Sequence, residues 1–273
     1  MAKPSKFGTF GGVFTPAILT ILGVIMYMRL PWIVGNGGLY LTWGVIAVAH
    51  VVSLTTGLSV SSMATDKRVK AGGSYYILSR SLGLPIGGAL GIALFVGLSF
   101  SVSLYVIGFS ESFLGYFGEE ISGDNVRVVG TALLACVATV TIISTALAMK
   151  MQYFIMAAIV VSLISVGIGN PDLVRPEEIH YEALTGGVSL AVIFGIFFPA
   201  VTGFEAGVSM SGDLKDPKRS IPVGTMAAIF FGLIVYFALG AFFAWRIPAA
   251  ELANNPRVLL DYAYMEELVV PGI

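Results

Sequence analysis

Between Arg80 and Glu111 the chain runs for thirty residues without a charged side chain, through "SLGLPIGGALGIALFVGLSFSVSLYVIGFS". A helix in a water-soluble domain needs a polar face, whereas about 20 consecutive apolar residues suffice to cross a hydrocarbon core. The rest of the chain repeats the pattern: 56% of residues are hydrophobic, 11% are charged, and the mean hydropathy is +0.89. The chain is therefore expected to be an all-α, multi-pass membrane protein. Apolar runs mark seven spans, at about Phe14 to Val34, Leu39 to Ala64, Ile86 to Gly115, Val126 to Leu147, Tyr153 to Ile168, Val188 to Met210 and Ile221 to Trp245. The third is long enough to tilt strongly. Residues 1–13 then form an N-terminal segment, 14–245 the transmembrane domain and 246–273 the start of a loop. No small-residue cleavage site follows the first span, so it is read as a retained helix and not a secretory signal.

The charged residues between spans assign the sides. One set of connections holds Lys3, Lys6, Lys67, Arg68, Lys70, Arg80, Lys150, Lys215, Lys218 and Arg219; the other holds only Arg127, Arg175, Arg246 and Arg257. Cytoplasmic loops retain lysine and arginine, so the N-terminus is expected inside, and seven crossings put the segment after Trp245 outside. That segment carries Glu251, Asp261, Glu266 and Glu267. Such a chain belongs in a plasma or inner membrane.

Two spans are not plain apolar helices. The first reads "PAILTILGVIMYMRLPWIVGNGG", with Gly23 mid-span, Arg29 deep in the segment and Pro31 beyond it. The sixth reads "VIFGIFFPAVTGFEAGVSMSGDL", with Pro199 and Gly203 near its middle and Glu205 just after. A break in lipid frees backbone groups that must find partners. The two breaks stand in corresponding places if five-span units repeat, which is the sequence pointer to a carrier with inverted repeats and a site between the broken helices. Glycine and proline used only for close packing or kinks are the alternative reading. With the carrier reading, Gly23 and Gly203 are expected to face one another near the bilayer midplane.

The segments "TILGVIMYMRLPWIVG", "AGGSYYILSRSLG", "LYVIGFSES" and "FFPAVTGFEAGVSMSGDLKDPKRSIPVGT" resemble the matching segments of cation-chloride cotransporters, within the amino acid-polyamine-organocation superfamily. The resemblance runs through nearly all seven spans. It implies a LeuT-like fold of five-plus-five inverted repeats with helices 1 and 6 broken, and symport of an alkali cation, potassium or sodium or both, with chloride. The chain would supply the first repeat, the start of the second and part of an outer loop, and is read as a fragment or truncated form of such a carrier.

A half-helix starting at a break offers free N–H groups and the positive end of its dipole to an anion. The resemblance places chloride at such amides: Gly23, Val24 and Ile25 on the first span, Gly203, Phe204 and Glu205 on the sixth. It places the potassium ligands at Thr20, Ile21, Tyr105, Pro199 and Thr202, and the backbone ligands of sodium-coupled members on this span at Leu19 and Leu22. Potassium carriers have asparagine where this chain has Thr20, and the family commonly has methionine where this chain has Glu205. An ionised carboxylate there competes for the amides and repels an anion, so the sixth-span anion site is expected to be lost or to require protonation of Glu205. A structural hydrogen bond to a neighbouring helix is the alternative role for this side chain. An arginine inside a span needs a partner, and Glu111, six residues past Tyr105, is where the resembling carriers place the acid of an outer gate. Arg29 and Glu111 are expected to pair, as that gate or as a brace.

Cys136 is the single cysteine, which excludes an intramolecular disulfide and a cysteine metal cluster, and His50 and His180 are far apart, so no metal site beyond alkali cations is expected. Small residues in "GLPIGGALGIALFVG" are read as helix packing. No phosphate-binding loop, nucleophile elbow, zinc signature or dinucleotide fingerprint occurs, so neither an enzyme, a cofactor nor nucleic acid is expected. Transported ions and the bilayer are the expected partners, with a homodimer as candidate assembly. "GFEA" after a break also resembles amino acid permeases of the same superfamily, proton- or sodium-coupled, with small amino acids as cargo. A non-transporting membrane subunit is the third alternative.

Overall fold

A computed structural model of the chain describes residues 6–66, 72–170, 176, 178–182 and 188–272. Lys3, Lys67, Arg68, Lys70 and Arg175, which enter the charge asymmetry, lie outside the described residues. The described regular elements are helices, joined by one isolated bridge between Phe7 and Leu214. Seven of them are long and apolar enough to cross a membrane: Phe10–Met28, Leu30–Asp66, Leu84–Phe117, Gly123–Ile143, Met149–Ile168, Leu190–Asp213 and Pro217–Arg246. These are the seven expected spans, and the molecule is an integral, multi-pass, all-α membrane protein.

Their limits differ from the apolar runs where backbone chemistry overrides hydropathy. The first span starts at Phe10, because the turn from Phe10 to Phe14 continues into the helix Thr15–Ile21. The fourth stops at Ile143 and not at Leu147. Ser144 is extended (φ −161°, ψ 107°), and its hydroxyl accepts from Leu147 N, capping the next helix. The stretch Leu30–Asp66 is itself two helices that meet at Gly38, so that the residues before it carry on the first span; the Gly38 φ of 66° lies in the left-handed region that glycine enters without strain. The amides that follow it, Leu39 and Tyr40, donate to the carbonyls of His180 and Tyr181 at 3.0 and 3.1 Å.

The chain divides into two compact units. One comprises Met1–Ile21, Ala47–Phe100 and Phe198–Val235. Its apolar core gathers Val13, Val60, Ala64, Ile77, Val208, Leu214 and Ile221. Val13, with no exposed surface, fits because Gly207 and Gly224 have no Cβ to meet it. The N-terminal segment is tied down by Phe7 N to Asp213 O at 2.8 Å and Lys215 N to Phe7 O at 2.9 Å, and Thr9 and Ser220 share a hydroxyl hydrogen bond of 3.0 Å.

The other unit comprises Leu22–Ile46, Ser101–Phe197 and Tyr236–Ile273. Tyr236, Phe197 and Phe243 fill its interior, with the Phe197 and Tyr236 rings edge to face at 5.1 Å. The segment after the seventh span folds back as two short helices, Ala249–Asn254 and Val258–Tyr262. Gly35 admits the first of them, since Leu252 and Ala253 occupy the space a Cβ would take. Asn170 N to Tyr262 O at 2.9 Å and Ser165 Oγ to Met265 O at 3.0 Å fasten the segment to the fifth span and the residues just beyond it.

Candidate functional site

Both expected interruptions are present. The helix Thr15–Ile21 ends two residues before Val24–Met28 begins, and Gly23 between them is extended, at φ −89° and ψ −158°. The sixth span is a helix Leu190–Phe197, a tighter turn Phe198–Val201, an irregular step at Thr202 and Gly203, and a helix Glu205–Ser209. Pro199 has no N–H to give the carbonyl four residues back, which is why the regular ladder stops there. The half-helices after the breaks are only five residues each. A further turn follows at Arg29, before the helix resumes at Leu30.

In the first unit, the two broken segments meet at one hydroxyl. Thr20 Oγ1 lies 2.6 Å from the carbonyl oxygen of Gly203, 2.8 Å from that of Ala17 and 3.2 Å from that of Pro16. A threonine hydroxyl has one hydrogen to donate, so it satisfies at most one of these acceptors fully. The result is a knot of four oxygen atoms. Gly203 makes the approach possible, because a Cβ on it would overlap the Thr20 side chain. Beside the knot, Thr202 Oγ1 donates to Pro199 O at 2.8 Å, and the Thr202 amide reaches the same carbonyl at 3.3 Å. Ser53 of the second span donates to Val201 O at 2.7 Å, satisfying a carbonyl beside the break. Sequence reasoning missed Ser53. Its neighbours Thr55, Thr56 and Ser59 bond back to their own helix, and nothing in the letters separates one hydroxyl from another.

Ile21 is buried and Leu19 half-buried at the end of the same half-helix, where only their backbone could serve a ligand; Leu22, also buried, opens the second unit. Phe204 is buried and Glu205 is half-buried at the start of the helix Glu205–Ser209. The first bond across that turn runs from Ala206 N to Gly203 O at 3.1 Å. Among the described residues the Glu205 carboxylate forms no ion pair and no side-chain hydrogen bond.

In the second unit, Gly23, Val24 and Ile25 lead the helix Val24–Met28, and the bond from Met26 N to Gly23 O closes its first turn at 3.0 Å. Amides ahead of that closure are the ones an N-terminus leaves without intrahelical acceptors. Gly108 of the third span abuts the Val24 side chain, where a Cβ would collide with it. Tyr105 stands three residues earlier, on the same helix face, so it lies alongside this break. Arg29 Nη2 and Glu111 Oε2 are 3.3 Å apart, with both side chains partly exposed. The pair lines a cavity of about 460 Å³, together with Tyr27, Trp32, Asn255 and Arg257. Gly23 and Gly203, expected to face one another, belong to different units, the second and the first.

Seven membrane-crossing helices, the first and sixth broken at glycine with polar groups gathered at each break, define a polytopic membrane protein of the LeuT-like class. The family model described as "Amino acid permease" matches residues 12–255, and the chain belongs to that family. Among curated relatives, the chain is 33% identical over 260 residues to solute carrier family 12 member 3 of Pseudopleuronectes americanus, a match covering 88% of this chain and 25% of the relative. It is 34% identical over 262 residues to the Homo sapiens protein of the same name, covering 88% and 26%. It is 35% identical over 260 residues to a bumetanide-sensitive sodium-(potassium)-chloride cotransporter of Manduca sexta, covering 85% and 24%. The resemblance to cation-chloride cotransporters is thus borne out, and the chain spans about a quarter of the length of these relatives.

Proposed function

We propose that this chain forms part of the transport core of a symporter that moves an alkali cation together with chloride, and that it acts as a carrier and not as an enzyme. The oxygen knot around Thr20 carries this reading. Carbonyl and hydroxyl oxygens gathered at one point attract a cation small enough to sit among them, and broken membrane helices are where carriers place such groups. Pro199 and Thr202 border that cation site in the first unit. In the second unit, the amides of Gly23, Val24 and Ile25 receive chloride beside Tyr105, and the Arg29–Glu111 pair acts as the outer gate. The positive-inside asymmetry supports a cytoplasmic N-terminus and an outer position for the segment after the seventh span.

Glu205, whose carboxylate has no partner among the described residues, favours one alternative, a permease of small amino acids, because a carboxylate at that break can receive an ammonium group. Uptake into proteoliposomes decides between them. The proposal expects rubidium uptake that needs chloride on the same side and ignores amino acids. Amino acid uptake indifferent to chloride would overturn it in favour of the permease, and no uptake of either would overturn both.

A further inference from the structure

The cavity beside the Arg29–Glu111 pair holds a second guanidinium that the gate reading does not use. Arg257 arrives on the segment after the seventh span, and its Nη1 donates to the carbonyl of Gly115 at 2.5 Å. Gly115 lies four residues beyond Glu111, one turn further along the same face of the third span. The Arg257 stem packs against this turn, its Cγ 3.8 Å from where a Gly115 Cβ would stand, an ordinary contact distance. The other polar contacts of the Arg257 guanidinium are long ion pairs: Nε to Asp261 Oδ1 is 4.0 Å and Nη2 to Glu266 Oε2 is 3.7 Å, beyond hydrogen-bond reach. Arg29 in turn holds Glu111 through a single nitrogen and a single oxygen. One carboxylate and two guanidiniums therefore line one cavity: the first guanidinium holds the carboxylate through one contact, and the second rests a turn away on a backbone carbonyl.

We propose that Arg257 is the alternate partner of Glu111. When Arg29 and Glu111 part, Arg257 leaves the Gly115 carbonyl and takes the carboxylate, so that Glu111 is never stranded without a counter-charge in a cavity lined largely by apolar groups. The exchange makes opening a swap between two paired states. It also ties the position of the outer segment to the state of the pair, because Arg257 is carried on that segment. The inference rests on the pairing geometry and not on the cargo.

A thermal-unfolding double-mutant cycle on the purified protein in lipid nanodiscs tests it without measuring transport. Arg257→Gln, Glu111→Gln and the double variant are compared in the native background and again with Arg29→Gln. The expected result is near-additive shifts while Arg29 is present. Without Arg29, a coupling worth roughly 3 °C should appear, because Arg257 then holds Glu111 outright. Equal coupling in both backgrounds, or none in either, overturns the proposal and leaves Arg257 as a static brace. If Arg29→Gln does not fold, the pair Glu111→Cys with Arg257→Cys, in a Cys136→Ala background, carries the test. A short bis-thiol reagent should join the two, and failure to join them overturns the proposal.

Discussion

Thr20 and Gly203 are the residues on which the first unit's half of the site turns. The Thr20 hydroxyl is pressed against the Gly203 carbonyl at 2.6 Å because residue 203 has no side chain to keep it away. Gly203→Ala would drive a methyl group into the threonine, an overpacking that costs about 2 kcal/mol in a well-packed interior. The variant is expected to unfold at a lower temperature than the parent in the same lipid, and an unchanged transition would show that the contact is looser than described. Glu205, two residues on, opens the helix Glu205–Ser209 that follows the break. Its carboxylate has no partner among the described residues, so its charge acts on whatever occupies the break. Glu205→Gln removes that charge with little change of shape. Chloride activation of flux should then need about tenfold less chloride, or a second activating site should appear. Identical chloride dependence in both proteins would mean that no anion approaches this break.

At the scale of elements, the second span does more than fill space. Ser53 donates to Val201 O at 2.7 Å and so holds the break in the sixth span from outside. Ser53→Ala leaves a buried carbonyl without that donor, at a cost of about 1–3 kcal/mol. Hydrogen exchange around residues 198–204 should speed up in the variant, while the helix Pro217–Arg246 stays as protected as before. Uniform loss of protection across both would assign Ser53 to general packing. The interrupted helices themselves were legible in the letters, because proline and glycine act locally and lipid offers their freed backbone groups no water. The Arg29–Glu111 pairing was legible for a related reason, since a charge inside a span must find an opposite one. Span ends were less so. Leu147 is as apolar as the helix before it, and only the capping geometry of Ser144 shows that it belongs to the next.

For the whole molecule, the number of spans followed from apolar length, a constraint the bilayer imposes on every segment independently. What did not follow was any contact between residues distant in sequence whose side chains look ordinary. Ser53 at the sixth-span break and Arg257 on the Gly115 carbonyl are both of this kind. The fold-back of the segment after the seventh span onto Gly35 and Ser165 is another, set by complementary shape and not by pattern. The oxygen knot at Thr20 is the proposed seat of the transported alkali cation. Rubidium uptake into proteoliposomes, measured against rubidium concentration for the parent and for Thr20→Val, tests it most directly. Valine keeps the branched shape and removes the oxygen. The account predicts a half-saturating rubidium concentration at least about tenfold higher in Thr20→Val, a loss of about 1.4 kcal/mol of cation binding, with the chloride dependence unchanged. Superimposable rubidium curves for the two proteins would contradict it.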